Sequence, residues 1–180
     1  MAPWHKLGPF TVFDLETTGM SAVRDHIVEI GAVRVETDGT LSRFETLVNP
    51  GIPIPYQVIR VHGIDDDMVA DAPSFKDAAY PFLDFIRGSK LVAHNARFDF
   101  SFLQESLART ALPIWKHGIY DSIVLIRRAY PGLSSYSLPA LRESLCLGQD
   151  IDEARPHRAG YDAEITMEAF SMAMRRLYAM

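Results

Sequence analysis

Two acids, Asp14 and Glu16, stand two residues apart at the end of the stretch Phe10-Thr-Val-Phe-Asp-Leu-Glu-Thr-Thr-Gly19. Its first four residues favour a β-strand, and Gly19 permits a turn. On a strand, side chains two apart share a face. Asp14 and Glu16 therefore aim together, while Phe13 and Leu15 aim the other way. Paired carboxylates repel each other, and a hard divalent cation such as Mg2+ or Mn2+ offsets that repulsion through oxygen ligands. The same residues also suit two solvated acids in a turn. What decides between these readings is whether other elements bring further ligands to the same place.

The surrounding pattern supplies such elements. Ile27–Val35 reads as a second strand, an Asp38-Gly39 turn follows, and Leu41–Val48 reads as a third, giving an antiparallel meander. Asn49–Pro55 is too rich in proline for helix or sheet interior and reads as an extended loop leading to Val61-His-Gly-Ile64. Asp65, Asp66 and Asp67 suit the first turn of a short helix. Ser74 opens a helix in which Pro81 predicts a kink or a restart. Lys90–His94 is a short apolar strand, and Asn95 is placed to cap a helix over 96–110 that carries Asp99 in its first turn. A strand at Ile119–Asp121 precedes helices through Arg128 and over 137–147. In a last helix over 158–178, Ala163, Met167, Phe170, Met174 and Leu177 form a core stripe. Beside it lie Asp162, Thr166, Ala169 and Ala173, three of them small enough to let this flank approach the sheet closely and hold Asp162 inward. Three strands, then helices mixed with two further strands, predict an α/β fold with a mixed sheet.

The totals narrow the function classes. At 180 residues the chain suits one domain, 1–180. A net charge of −5 argues against a broad basic saddle for duplex DNA. A single cysteine, Cys146, excludes an internal disulfide and a thiolate zinc cluster. No apolar run approaches the roughly 20 residues of a membrane span, and the N-terminus lacks a signal-peptide core. A soluble, cytoplasmic protein with no membrane partner is expected.

Three segments now bear on the metal question together. Asp14-Leu-Glu-Thr-Thr-Gly19, Val92-Ala-His-Asn-Ala-Arg-Phe-Asp99 and His157-Arg-Ala-Gly-Tyr-Asp162 occur in the order and contexts of the three exonuclease motifs of the DEDD family. The last has the H-x-x-x-x-D form of the h-type branch, and His62-Gly63 stands where that family has an I-H-G-I loop. The chain resembles the DEDDh-type 3′–5′ exonucleases, most of all the epsilon-type, DnaQ-like proofreading exonucleases of bacterial DNA polymerase III. The resemblance implies a ribonuclease-H-like fold with a mixed five-stranded sheet flanked by helices. It implies a single exonuclease domain that hydrolyses the 3′ end of DNA in proofreading or end-trimming and releases nucleoside 5′-monophosphates. Two Mg2+ or Mn2+ ions, about 4 Å apart in such sites, would be held by Asp14, Glu16, Asp99 and Asp162. His157 would be the general base.

Five residues on a helix turn about 140°, so His157 must precede the helix that carries Asp162, and Pro156 favours a loop there. By the same resemblance Leu15, Thr17, Thr18, His62, Asn95 and Phe98 would line the terminal-nucleotide pocket. Leu15 does so only if the strand has ended or bulged. His62 fits a structural role in its loop equally, and Phe98 fits core packing. The partners implied are nucleic acid 3′ ends, single-stranded DNA above all, and a DNA polymerase subunit. RNA trimming, which requires accepting the 2′-OH, and a non-catalytic polymerase- or nucleic-acid-binding subunit are the alternatives. Gly160-Tyr161 departs from the family's usual apolar-then-polar pair, which loosens the helix start. His5, His26 and His117 are expected at the surface, and Asp121 in a structural role.

Overall fold

The computed structural model describes residues 3–149, 151 and 157–178. Strand β1, Phe10–Thr17, lies at the centre of the sheet. It pairs antiparallel with β2 (Ile27–Val35), which pairs antiparallel with β3 (Leu41–Leu47). On its other side β1 runs parallel to β4 (Lys90–Ala93), and β4 runs parallel to β5 (Ile119–Asp121). The order is β3-β2-β1-β4-β5, a mixed five-stranded sheet with helices on both faces and the ribonuclease-H-like arrangement expected.

Alternation along β1 divides the core. Phe13 and Leu15 join Ile30, Phe82, Phe102 and Leu103 on one face, under helices α3 (Phe75–Phe85) and α4 (Ala96–Arg109). Phe10 and Val12 join Val33, Phe170 and Met174 on the other, under α7 (Ala159–Tyr178). Each fully buried large side chain contributes about 1.5–3 kcal/mol. This sorting therefore fixes the register of β1, because a one-residue slip would turn Asp14 and Glu16 into the apolar face.

Several local expectations are corrected. Tyr56–His62 is a helix, α1, with His62 as its last residue and Gly63 at φ 73° closing it. His62 therefore ends a helix rather than lying in a loop; Pro55 at the N-cap starts it, where a missing N–H costs nothing. Asp65 caps the short α2 (Asp66–Val69) by accepting the Met68 N–H at 2.9 Å. Helix α3 runs through Pro81 without a break. Asn95 stands at the N-cap of α4 in left-handed backbone, φ 61°, and its side chain makes no capping bond. Asp121 caps α5 (Ser122–Ala129), accepting the Ile123 N–H at 2.9 Å, a structural role as read. Helix α6 is Leu138–Leu145.

The small flank of α7 also behaves differently from its reading. Ala169 and Ala173 pack against Ile126, Ala129 and Leu141 of α5 and α6, not against the sheet. The close approach to the sheet is made at the helix start. Gly31 on β2 pairs with Asp14 on β1, and a Cβ on Gly31 would lie 2.1 Å from the Ala159 carbonyl carbon. Backbone cannot yield as a flexible side chain would, so Gly31→Ala must push the start of α7 off the sheet. Overpacking of this kind costs about 1–3 kcal/mol or more. Thermal unfolding is expected to show that loss, with a fall in any activity that depends on Asp162.

No helix among the described residues is long and apolar enough to cross a membrane.

Candidate active site

The end of β1 presents Asp14 and Glu16 on the α7 face, and Asp162 meets them from the first turn of α7. One carboxylate oxygen from each of the three lies within 4.8 Å of the others. Asp99, in the first turn of α4, reaches the same place from the opposite face. It is 2% exposed, and its Oδ1 accepts the Leu15 N–H at 3.1 Å. The four acids come from distant parts of the sequence, and the central strand with two helix starts brings them together.

Their electrostatics follow from burial. Desolvation, then the charges of Asp99, Asp162 and Glu16, push the Asp14 carboxyl well above its ordinary range. Burial and the Asp162, Glu29 and Asp99 charges raise Glu16 to about 9, with Arg158 opposing. Asp99 rises to about 8, chiefly by burial and against the N–H bond from Leu15. Burial raises Asp162 to about 6, while His157 acts to lower it. A set of hard oxygen donors that resists ionisation beside its own kind fits a divalent cation, whose charge would reverse the local balance. The cluster could therefore hold a divalent metal.

His157 stands at the rim. It is exposed, precedes α7 by two residues and takes left-handed backbone, φ 58°. It thus lies outside the regular helix, as the spacing to Asp162 requires; Pro156 falls outside the described residues.

The other expected residues divide. The β1–β2 register shifts between Glu16 and Thr17, one residue beyond Leu15. Leu15 keeps its side chain in the core at 4% exposure, leaving little surface for substrate. Thr17 and Thr18 are buried and shape the turn: Thr17 Oγ1 donates to the Gly19 carbonyl at 2.6 Å, and Thr18 Oγ1 accepts the His26 N–H at 2.9 Å. His62 is buried, and its Nδ1 accepts the Ile64 N–H at 3.0 Å. Its Nε2, which therefore carries the proton, has no hydrogen-bond partner among the described residues. Burial, opposed by the nearby Thr17 carbonyl, holds its pKa below the usual histidine value, which keeps it a neutral donor. Phe98 is half-buried and stacks obliquely on Phe102, centroids 4.9 Å apart. Asn95 is exposed.

Glu29 is the residue that the sequence reading missed. It is fully buried, opposite Glu16 across the β1–β2 ladder. Its carboxylate accepts two bonds from the Arg158 Nε, at 2.9 and 3.0 Å, a further short one from the Arg158 NH2 group, and the Ala159 N–H at 2.8 Å. Glu29 thereby clamps the start of α7, between His157 and Asp162, to the strand beside the acids. The available signal was a charge inside the otherwise apolar run Ile27-Val-Glu-Ile30, since acids are almost never fully buried unless paired.

With this geometry in place, the relatives are informative. A family model described as Exonuclease matches residues 11–170. The chain belongs to the exonuclease family.

The DNA polymerase III epsilon subunit of Treponema pallidum is 38% identical over 167 residues, which is 93% of this exonuclease chain and 77% of that protein. The PolC-type DNA polymerase III of Caldanaerobacter subterraneus subsp. tengcongensis is 39% identical over 170 residues, yet the chain spans only 12% of its length. Exonuclease X, solved in complex with 5′ overhanging duplex DNA, superposes with a TM-score of 0.71 at 32% identity and covers 95% of this chain and 93% of its own. By family this exonuclease is a hydrolase of the nuclease class, of DnaQ-like type.

Proposed function

We propose that the chain, as one exonuclease domain over 1–180, removes nucleoside 5′-monophosphates from the 3′ end of DNA, in proofreading or end-trimming. The observation that carries this reading is the convergence of Asp14, Glu16 and Asp162 beside Asp99, with His157 at the rim. Asp14, Glu16, Asp99 and Asp162 would hold two Mg2+ or Mn2+ ions, which supply an activated water and neutralise charge at the scissile phosphate. His157 would accept the proton of the attacking water, as an imidazole placed beside the site can. Its exposed, non-helical backbone lets it meet substrate at the rim. The protonated Nε2 of His62 lies by the Thr17 carbonyl and makes no well-formed bond among the described residues, so it would be a donor for the terminal nucleotide on the Thr17–Thr18 side.

DNA is the substrate proposed because Exonuclease X was solved on DNA and two relatives carry the name DNA polymerase III. Those names also make a DNA polymerase the proposed protein partner; the cytoplasm remains the proposed compartment.

The test uses 5′-labelled single-stranded DNA and RNA of one sequence, incubated with Mg2+ or Mn2+ or with a chelator, beside Asp14→Ala. A ladder shortening from the 3′ end, faster on DNA, dependent on metal and absent in the variant, is the expected result. Faster shortening of RNA would reassign the substrate. Tight binding with no shortening of either strand would overturn the enzyme reading in favour of a binding subunit.

A further inference from the structure

A groove of about 570 Å³ opens directly beside Asp162. Its walls include His94 and Asn95 after β4, Ile123 and Arg127 on α5, and Tyr136 in the segment before α6. The sheet order puts this groove on the β4–β5 side of β1, whereas the turn after Thr17 is tied to the approach to β2, Thr18 exchanging hydrogen bonds with His26. The acids therefore sit between two different surfaces.

The groove is a formed wall. Tyr136 donates its hydroxyl to the Tyr130 carbonyl at 2.8 Å. Its own carbonyl accepts His94 Nε2 at 2.8 Å, and His94 Nδ1 meets the Ser122 hydroxyl at 2.8 Å. His94 thus ties the end of β4 to the start of α5 and to the Tyr136 segment. Against this wall the Arg127 guanidinium lies 4.8 Å from the centroid of the Tyr136 ring. No ion pair among the described residues engages it. Apart from Asp162, Arg127 is the only acidic or basic side chain among those lining the groove besides His94, whose two ring nitrogens are both engaged. A planar guanidinium, held by stacking and without a carboxylate among the described residues, matches the geometry of a phosphate.

Taking the exonuclease reading as its premise, we infer that this groove carries the strand on the 5′ side of the scissile linkage and that Arg127 pairs with an internal phosphate of that strand. The terminal nucleotide then lies on the Thr17 and His62 side, the scissile phosphate at the acids, and the next nucleotides along the groove. The site accordingly prefers a polynucleotide to an isolated phosphodiester.

The test compares wild type, Arg127→Gln and Arg127→Lys on two substrates. One is a 5′-labelled oligothymidylate, and the other is the p-nitrophenyl ester of thymidine 5′-monophosphate, which has no upstream phosphate. In Arg127→Gln the ratio of kcat/KM for oligonucleotide over ester is expected to fall about tenfold, with Arg127→Lys between it and wild type. Binding of fluorescein-labelled oligothymidylate, followed by anisotropy with Ca2+ in place of Mg2+, is expected to lose about 0.7 from its salt slope, the value for one single-strand phosphate. An unchanged ratio with an unchanged slope overturns the inference, and so does an equal loss on both substrates. A wild type inactive on both substrates would instead overturn the exonuclease reading on which it rests.

Discussion

Asp14→Asn is expected to abolish hydrolysis while making the metal-free protein less sensitive to alkaline pH. Asp14 lies at the centre of the cluster, close enough to feel Asp99, Asp162 and Glu16. Losing a central ligand removes several kcal/mol of stabilisation at the phosphate. At about 1.4 kcal/mol per factor of ten, that is a fall of about 1,000-fold or more in kcat. Stability moves the other way. Glu16 at about 9, Asp99 at about 8 and Asp162 at about 6 all titrate above ordinary carboxylates. For each, the folded state holds its proton more tightly than the unfolded state does. Their contribution to stability is full at acid pH and is lost as pH rises through those values. In a chelator the wild-type Tm should therefore fall between about pH 6 and pH 9, and Asp14→Asn, with one charge fewer, should fall less. Scanning calorimetry at both pH values checks this. An equal fall in the two proteins would show that the acids do not interact as described.

Arg158→Met has the second large expected effect, this time on the fold. It leaves Glu29, fully buried, without its counter-charge. Breaking a buried pair by removing one partner costs about 3–5 kcal/mol, which for a protein of this size is a fall of about 6–20 °C in Tm. Glu29→Gln combined with Arg158→Met should recover most of that loss, because the amide oxygen still accepts the Ala159 N–H and no charge is stranded. Activity should not recover with it. The double variant keeps only the Ala159 N–H bond to the start of α7 and loses the Arg158 clamp, and both His157 and Asp162 depend on where that start lies. Thermal unfolding beside single-turnover rates separates the two. Recovery of rate together with stability would assign the Glu29–Arg158 pair to the fold alone.

What the sequence revealed, and what it hid, has a physical pattern. The meander over 10–47 was legible because alternation and an Asp-Gly turn are local signals, and so were the acids at the ends of their elements. Helix α1 was hidden because Asn49–Pro55 signals a loop, and nothing in those residues says that Pro55 is also a good helix start. Pro81 looked like a break, yet α3 packs Ala78, Ala79 and Phe82 into the core, and that tertiary packing carries the helix past it. Asn95 looked like a cap, but its left-handed backbone turns the side chain away from that role. Glu29 escaped because its partner Arg158 is distant in sequence and only the folded register brings the two together. The site's acids were visible as a motif; the clamp that aims them was visible only in three dimensions.

The most direct test of the central claim, that these buried acids hold divalent ions, is calorimetric titration of Mn2+ into the wild type and Asp14→Asn at pH 7 in two buffers of different ionisation enthalpy. Because Glu16 and Asp99 hold protons at that pH without metal, binding must expel them. Two ions per chain are expected, with a heat that depends on the buffer, and both features are expected to weaken in Asp14→Asn. Mn2+ binding that releases no protons and is the same in the variant, or no binding at millimolar Mn2+, would contradict it.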